Sequence, residues 1–315
     1  MNPRSGPGSA VLLVVVGLAC QEVGAALAVL LFPSVGPLGI VMLRLVFSAV
    51  LLLLITRPSL RGHSAYGWRS VVLFGLVLAL MNGLFYLALE RLPLGITVTI
   101  EVLGPLILSI VASRRRSAWL WALLALAGVI ALGGGGWERL DPLGVAFALG
   151  AAASWAFYIV ASARVGREFP KLDGLALAMT IGALVSLPFG ILSAGPALLH
   201  LNLLALGAAV AVLSSTIPYA LELVALRRLP AAAFAILMSV SPAIATLAGF
   251  LLLGQQITWL EGAGIALVIA ASIGAVRASS RAAGRARRQA TDAAAPASAS
   301  SASSTTDEPF AEPVG

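Results

Sequence analysis

"ALERLPLGITVTIEVLGPL", residues 88–106, sets a glutamate and a Gly-Pro pair inside an apolar run that continues to Ala112. Its first six residues, Ala88 to Pro93, return 137 positions later as "ALRRLP", Ala225 to Pro230. At the same offset Pro105 meets Pro242, and Gln21 meets Tyr158. The surrounding chain of 315 residues is 60% hydrophobic and only 10% charged, with a mean hydropathy of +1.01, which lies outside the range of soluble domains. A bilayer core needs about 20 apolar residues per helix. Such runs fall at 10–31, 36–56, 68–89, 93–112, 118–135, 142–162, 173–193, 203–226, 230–253 and 257–277.

The repeat divides these runs into two sets of five. Five is odd, so the second copy must cross the membrane in the opposite sense to the first. The fold expected is all-α and integral to the membrane, with ten transmembrane helices forming two inverted five-helix repeats, an architecture that puts a binding site near the midplane between the halves. The expected divisions are a cytoplasmic N-terminus (1–9), a first repeat (10–136), a linker (137–141), a second repeat (142–277) and a disordered tail (278–315), basic and then Ala/Ser-rich.

A net charge of +7 would fit nucleic acid, but the placement of the charges points to the lipid bilayer as the partner. Of the 20 Lys and Arg, only Arg91 and Arg139 fall on one side of the expected topology and Arg44 lies within a helix. The others, from Arg4, Arg57 and Arg61 to the tail Arg277, Arg281, Arg285, Arg287 and Arg288, fall on the opposite side. By the positive-inside rule both termini are cytoplasmic, in a multi-pass protein of the plasma membrane. The lone Cys20 excludes an internal disulfide and a multi-cysteine metal site, and no cofactor motif is present. Gly133 to Gly136 lack the Lys-Ser/Thr of a phosphate loop and are read as a helix end and linker.

The prolines are expected to break helices. A proline withholds one amide donor and obstructs the carbonyl four residues earlier, so Pro105 with Gly104 should free the carbonyl of Glu101, and Pro242 with Ser241 that of Met238. Pro93 and Pro230 sit where the missing donor costs nothing and mark helix starts.

Each charge near the bilayer centre costs roughly 2.5–3.5 kcal/mol on insertion scales and so carries a partner or a task. Glu22, Arg44, Asn82 and Glu101 all lie roughly 10–14 Å below the outer surface at 1.5 Å per residue, and are expected to form one polar layer. Two arrangements fit. In one, Arg44 pairs permanently with Glu101 or Glu22 and Asn82 bonds across helices. In the other, Arg44 takes the carboxylate and Glu101 the ammonium of a zwitterionic substrate, with Glu22 or Glu101 also titrating. The second half has no matching layer: Ile181, Tyr219 and Met238 replace Arg44, Asn82 and Glu101. Its polar groups, among them Trp155, Tyr158, Tyr219, Ser214, Ser215, Thr216, Ser239 and Ser241, line a path or pack between helices. Glu222, near the inner end of its helix, is read as snorkelling toward Arg227 or Arg228.

"MNGLFYLALERLPLGITVTIEVLGPL" (81–106), "ALGAAASWAFYI" (148–159), "LSSTIPYALELVALRRLP" (213–230) and "MSVSPAIATLAGFLLLGQ" (238–255) resemble an EamA-type transporter of the drug/metabolite transporter superfamily, nearest the threonine and homoserine exporters. "LFPSVG" (31–36) and "LRL" (43–45) belong to the same resemblance. It implies a central cavity and export of a small amino acid in exchange for protons. It also implies a glutamate before the second-half proline and another after the Leu-Gly ending helix 9, where this chain has Ser241 and Gln255, and a neutral polar residue where it has Glu22.

Two rival functions remain at this stage. A broader exporter of drugs, nucleosides or other metabolites would be favoured by a cavity walled with Phe85, Tyr86, Trp155 and Phe157. A membrane-embedded enzyme would need a nucleophile-base pair, clustered acids or a metal site. The two histidines, His63 and His200, both fall in expected loops, so no catalytic residue is assigned.

Overall fold

The structure is a computed structural model that describes residues 7–113, 118–132, 140–170, 172–218, 221, 225 and 231–299. Every regular element among them is helical. The first run, Pro7–Thr56, is parted at Gly36 into α1 (7–35) and α2 (37–56). There follow α3 (Ala65–Leu89), α4 (Leu94–Glu101), α5 (Leu103–Ser113), α6 (Ala118–Leu132), α7 (Pro142–Glu168) and α8 (Asp173–Ala194). After a 3-10 turn, Gly195–Leu199, come α9 (Leu201–Ala211), α10 (Ala231–Met238), α11 (Ser241–Leu253) and α12 (Trp259–Ala299). Among the described residues six helical segments are long and apolar enough to cross a membrane, the first being α1 with α2, and shorter apolar helices lie at Leu94–Leu108, Trp119–Leu132 and Leu201–Thr216. Each of the ten apolar runs thus has a helix over it.

Local chemistry sets the ends. No loop separates the first two helices: the chain stays helical through Pro33 and turns at Gly36, whose φ of +69° glycine alone adopts readily. A carbonyl left at that turn is satisfied, because Ser193 Oγ donates to Val35 O at 3.2 Å. Ser64 caps α3 by accepting from Gly67 N, and Asp141 caps α7 by accepting from Leu143 N and Gly144 N, with Pro142 in the first turn. Thr258 and Glu261 form a reciprocal capping box at the start of α12. That helix continues to Ala299, so the expected disorder from 278 is corrected over 278–299, where Ala and Arg are strong helix formers. Residues 300–315, the four-glycine run and the linker up to Arg139 lie outside the described residues.

The packing partners exchange under a shift of five apolar runs. The helices α2 and α8 pack on each other, as do α6 and α12, and α4 and α11. The pairing of α3 with α7 has its counterpart beyond α9, where Gly24 of α1 meets Leu213 and Ser214, and that of α3 with α8 in α9 with α2, where Gly207 meets Leu43. Such exchange is what two copies related by a two-fold axis produce. Small residues permit it: a Cβ at Gly128 would strike the carbonyl of Gly264, and a Cβ at Gly264 that of Gly128, so α6 and α12 approach backbone to backbone.

Candidate functional site: a polar cavity on the repeat axis

At both expected breaks the helix is interrupted only by a short turn ahead of the proline, through which the backbone stays in the right-handed helical region. Glu101 ends α4, Val102 turns, and Pro105 lies in the first turn of α5. Met238 ends α10, Ser239 and Val240 turn, and Pro242 sits in the first turn of α11. Gly104 also sits at a close approach between helices. A Cβ there would run into the Ala152 carbonyl, so this glycine lets the broken helix press against α7.

Between the halves lies a cavity of about 120 Å³. A single water takes roughly 10–15 Å³ on this measure, so the enclosed space suits a solute of amino-acid size. Glu22, Arg44, Asn82 and Glu101 line it from the first half, and Trp155, Tyr158 and Met238 from the second. Gln21, Ala25, Met81 and Phe85 complete the wall. Two pairs of residues at the repeat offset, Gln21 with Tyr158 and Glu101 with Met238, face the same space. The seventh predicted side chain, Tyr219, lies outside the described residues, as do Glu222, Arg227 and Arg228.

Arg44 reaches across to the second half. Its Nε donates to Ser215 Oγ at 2.9 Å and its Nη2 to the Ser214 carbonyl at 3.0 Å. Its Nη1 donates to Tyr86 Oη at 3.3 Å, with the guanidinium 5.7 Å from the centre of that ring. The carbonyl is presented by a π-helical turn, Val212–Thr216, a widened geometry frequent at functional sites. Tyr86 is completely buried and braced by Phe32 and Phe85. Glu22 is also buried, at 1% exposure, and accepts from Ser241 Oγ at 2.7 Å. The Asn82 side chain donates to the Leu78 carbonyl of its own helix rather than across an interface.

Nothing in the sequence joins Ser214, Ser215 or Tyr86 to Arg44; the first two are expected along a path or between helices and Tyr86 as a cavity aromatic. The available signal was the five-donor guanidinium, which needs several acceptors when buried, and the "SST" triplet at 214–216. Phe157, counted toward an aromatic cavity, is 67% exposed on the outer face of α7.

Residues 142–277 match the EamA-like transporter family. Over 267 residues the chain is 38% identical to the threonine/homoserine exporter RhtA of Salmonella typhimurium and to that of Escherichia coli, spanning 84% of this chain and 90% of each relative. The chain belongs to the EamA-like transporter family. It is a multi-pass membrane transporter and not an enzyme. A solved crystal structure, 19% identical with a TM-score of 0.60 over 87% of this chain and 98% of the other, shares its fold.

In this EamA-like transporter the two departures from the expected acids have definite places. Ser241 stands where a glutamate is expected, and its hydroxyl meets Glu22, so a carboxyl group reaches that spot from α1 instead. Gln255, at the other, accepts from Leu94 N at 3.0 Å, tying the end of α11 to the first turn of α4. Close by, just beyond the C-terminal end of α3, Arg91 pairs with Asp141 at 2.7 Å, and this guanidinium holds the Asp141 carboxyl below the usual carboxylate range.

Proposed function

We propose that this chain is a secondary transporter that exports small zwitterionic amino acids of the threonine and homoserine kind across the plasma membrane, by alternating access and in exchange for protons. The observation that carries the reading is the cavity itself: one guanidinium and two carboxyl groups enclose a space suited to one small amino acid. Arg44 takes the substrate carboxylate, an anion whose geometry its planar fork matches. Glu101 takes the ammonium, Asn82 and Trp155 position the solute, and Glu22 with Ser241 carries the exchanged proton. The halves cross the membrane in opposite senses, with both termini cytoplasmic, and Gly104-Pro105 and Ser241-Pro242 mark where the half-helices pivot. The names of the exporters to which the chain is similar support the substrate class.

The test is uptake of labelled threonine and homoserine into inverted membrane vesicles under a proton gradient. Gradient-dependent accumulation above vesicles lacking the protein is the expected result. A folded protein without accumulation would rule out these substrates. The aromatic wall of Phe85, Trp155 and Tyr158 makes larger, flatter metabolites the second reading, tested by their efflux in the same vesicles.

A further inference from the structure

A second pocket, of about 140 Å³, opens at the end of the molecule that carries Arg57, Arg61, Arg164 and Arg167. Its walls include Phe74 of α3, Phe169 beyond the end of α7, and Gly174 and Leu175 of α8. Its floor is Tyr158, which also lines the central cavity. Tyr158 packs against two hydrophobic clusters, one around the central cavity and one at the arginine-rich end, and its ring lies 5.1 Å from that of Phe74.

One face of α7 connects the two spaces. Gly166, Ser162 and Tyr158 recur every four residues, so they stack along a single stripe about 12 Å long at 1.5 Å per residue. Exposure falls along it, from exposed Gly166, where a Cβ would meet open space, to half-buried Ser162 and Tyr158. Trp155, on the next turn inward, already faces the central cavity.

We infer that the second pocket is the cytoplasmic vestibule through which the transported solute reaches the central cavity, and that the Tyr158 ring, seated on Phe74, is the partition between them. The inference rests on the transporter reading above. The vestibule takes the same small polar solute as the cavity; its aromatic walls and the hydroxyls of Ser162 and Tyr158 offer no charge to hold it there.

The test needs no substrate, so its failure is distinct from failure of the export reading. In a Cys20→Ala background, single cysteines are placed at Gly166, Ser162 and, in the central cavity, Met81. An impermeant thiol reagent is applied to the cytoplasmic face of inverted vesicles. The cysteines at 166 and 162 should react readily and the one at 81 slowly. Adding Tyr158→Ala should speed modification at 81 by about tenfold or more, since reactivity scales with the fraction of molecules that are open. Tyr158→Phe, which keeps the ring, should leave it slow and controls for folding. Modification at 81 that is equally fast with Tyr158 intact and removed would overturn the partition. A cysteine at 162 that is unreactive, or reached only from the other face, would overturn the vestibule.

Discussion

At the scale of single residues, the account turns on how three ionisable side chains divide one small cavity. Arg44 is anchored by Ser215, the Ser214 carbonyl and Tyr86. Arg44→Lys keeps the charge and loses the planar fork, so the apparent affinity for threonine should weaken by about tenfold or more, read from the concentration dependence of vesicle uptake. Glu101→Gln should abolish uptake while the protein still purifies as a folded species; unchanged uptake would remove Glu101 from the mechanism. Glu22 and Ser241 make a sharper case, because their contact at 2.7 Å lets the carboxyl group be moved across it. Glu22→Gln alone should abolish proton-driven uptake, and Glu22→Gln with Ser241→Glu should restore part of it. A double variant no better than the single one would show that position, and not merely a carboxyl group, is required.

Breaks and close approaches matter more than helix propensity at the scale of elements. Gly36 combines a positive φ with contact against Ser193, so Gly36→Ala should cost about 1–3 kcal/mol, read as a lower melting temperature in detergent. Gly62 has a φ of +85° but open space around it, so Gly62→Ala should cost less, and equal losses would refute the steric part of the argument. Gln255→Leu leaves the Leu94 amide without this acceptor and should cost about 1–3 kcal/mol, whereas Gln255→Glu keeps it. These details mark what the sequence could reveal. Charged or amide side chains in apolar runs stand out unaided, which is why Glu22, Arg44, Asn82 and Glu101 were legible as one layer. Their partners were not: Ser215, Ser241 and Tyr86 look like ordinary helix residues, and only the tertiary packing of distant segments brings them within hydrogen-bond reach. The close approach of Gly104 to Ala152 was hidden for the same reason, since Ala152 belongs to the other half.

For the whole molecule, the charged residues that line the cavity, Glu22, Arg44 and Glu101, all come from the first half, and the second half closes the space with Trp155, Tyr158 and Met238. "ALERLP" and "ALRRLP" made the repeat legible, whereas the exchange of partners between α3 with α8 and α9 with α2 is a property of packing. The Arg91–Asp141 pair links α3 to the cap of α7 at one end of the bundle. A carboxyl held below its ordinary range stabilises the fold above that range and loses the contribution as pH falls through its folded value. Asp141→Asn should therefore flatten the acid side of the melting profile, and an unchanged profile would show the pair to be inert. The central claim is that Arg44 and Glu101 grip the two charges of one small amino acid. Its most direct test is binding of labelled threonine to the purified protein, in competition with homoserine, with threoninamide, which lacks the carboxylate, and with 2,3-dihydroxybutyrate, which lacks the ammonium. Displacement by homoserine but by neither singly charged analogue is the predicted result. Equal displacement by all three would contradict it.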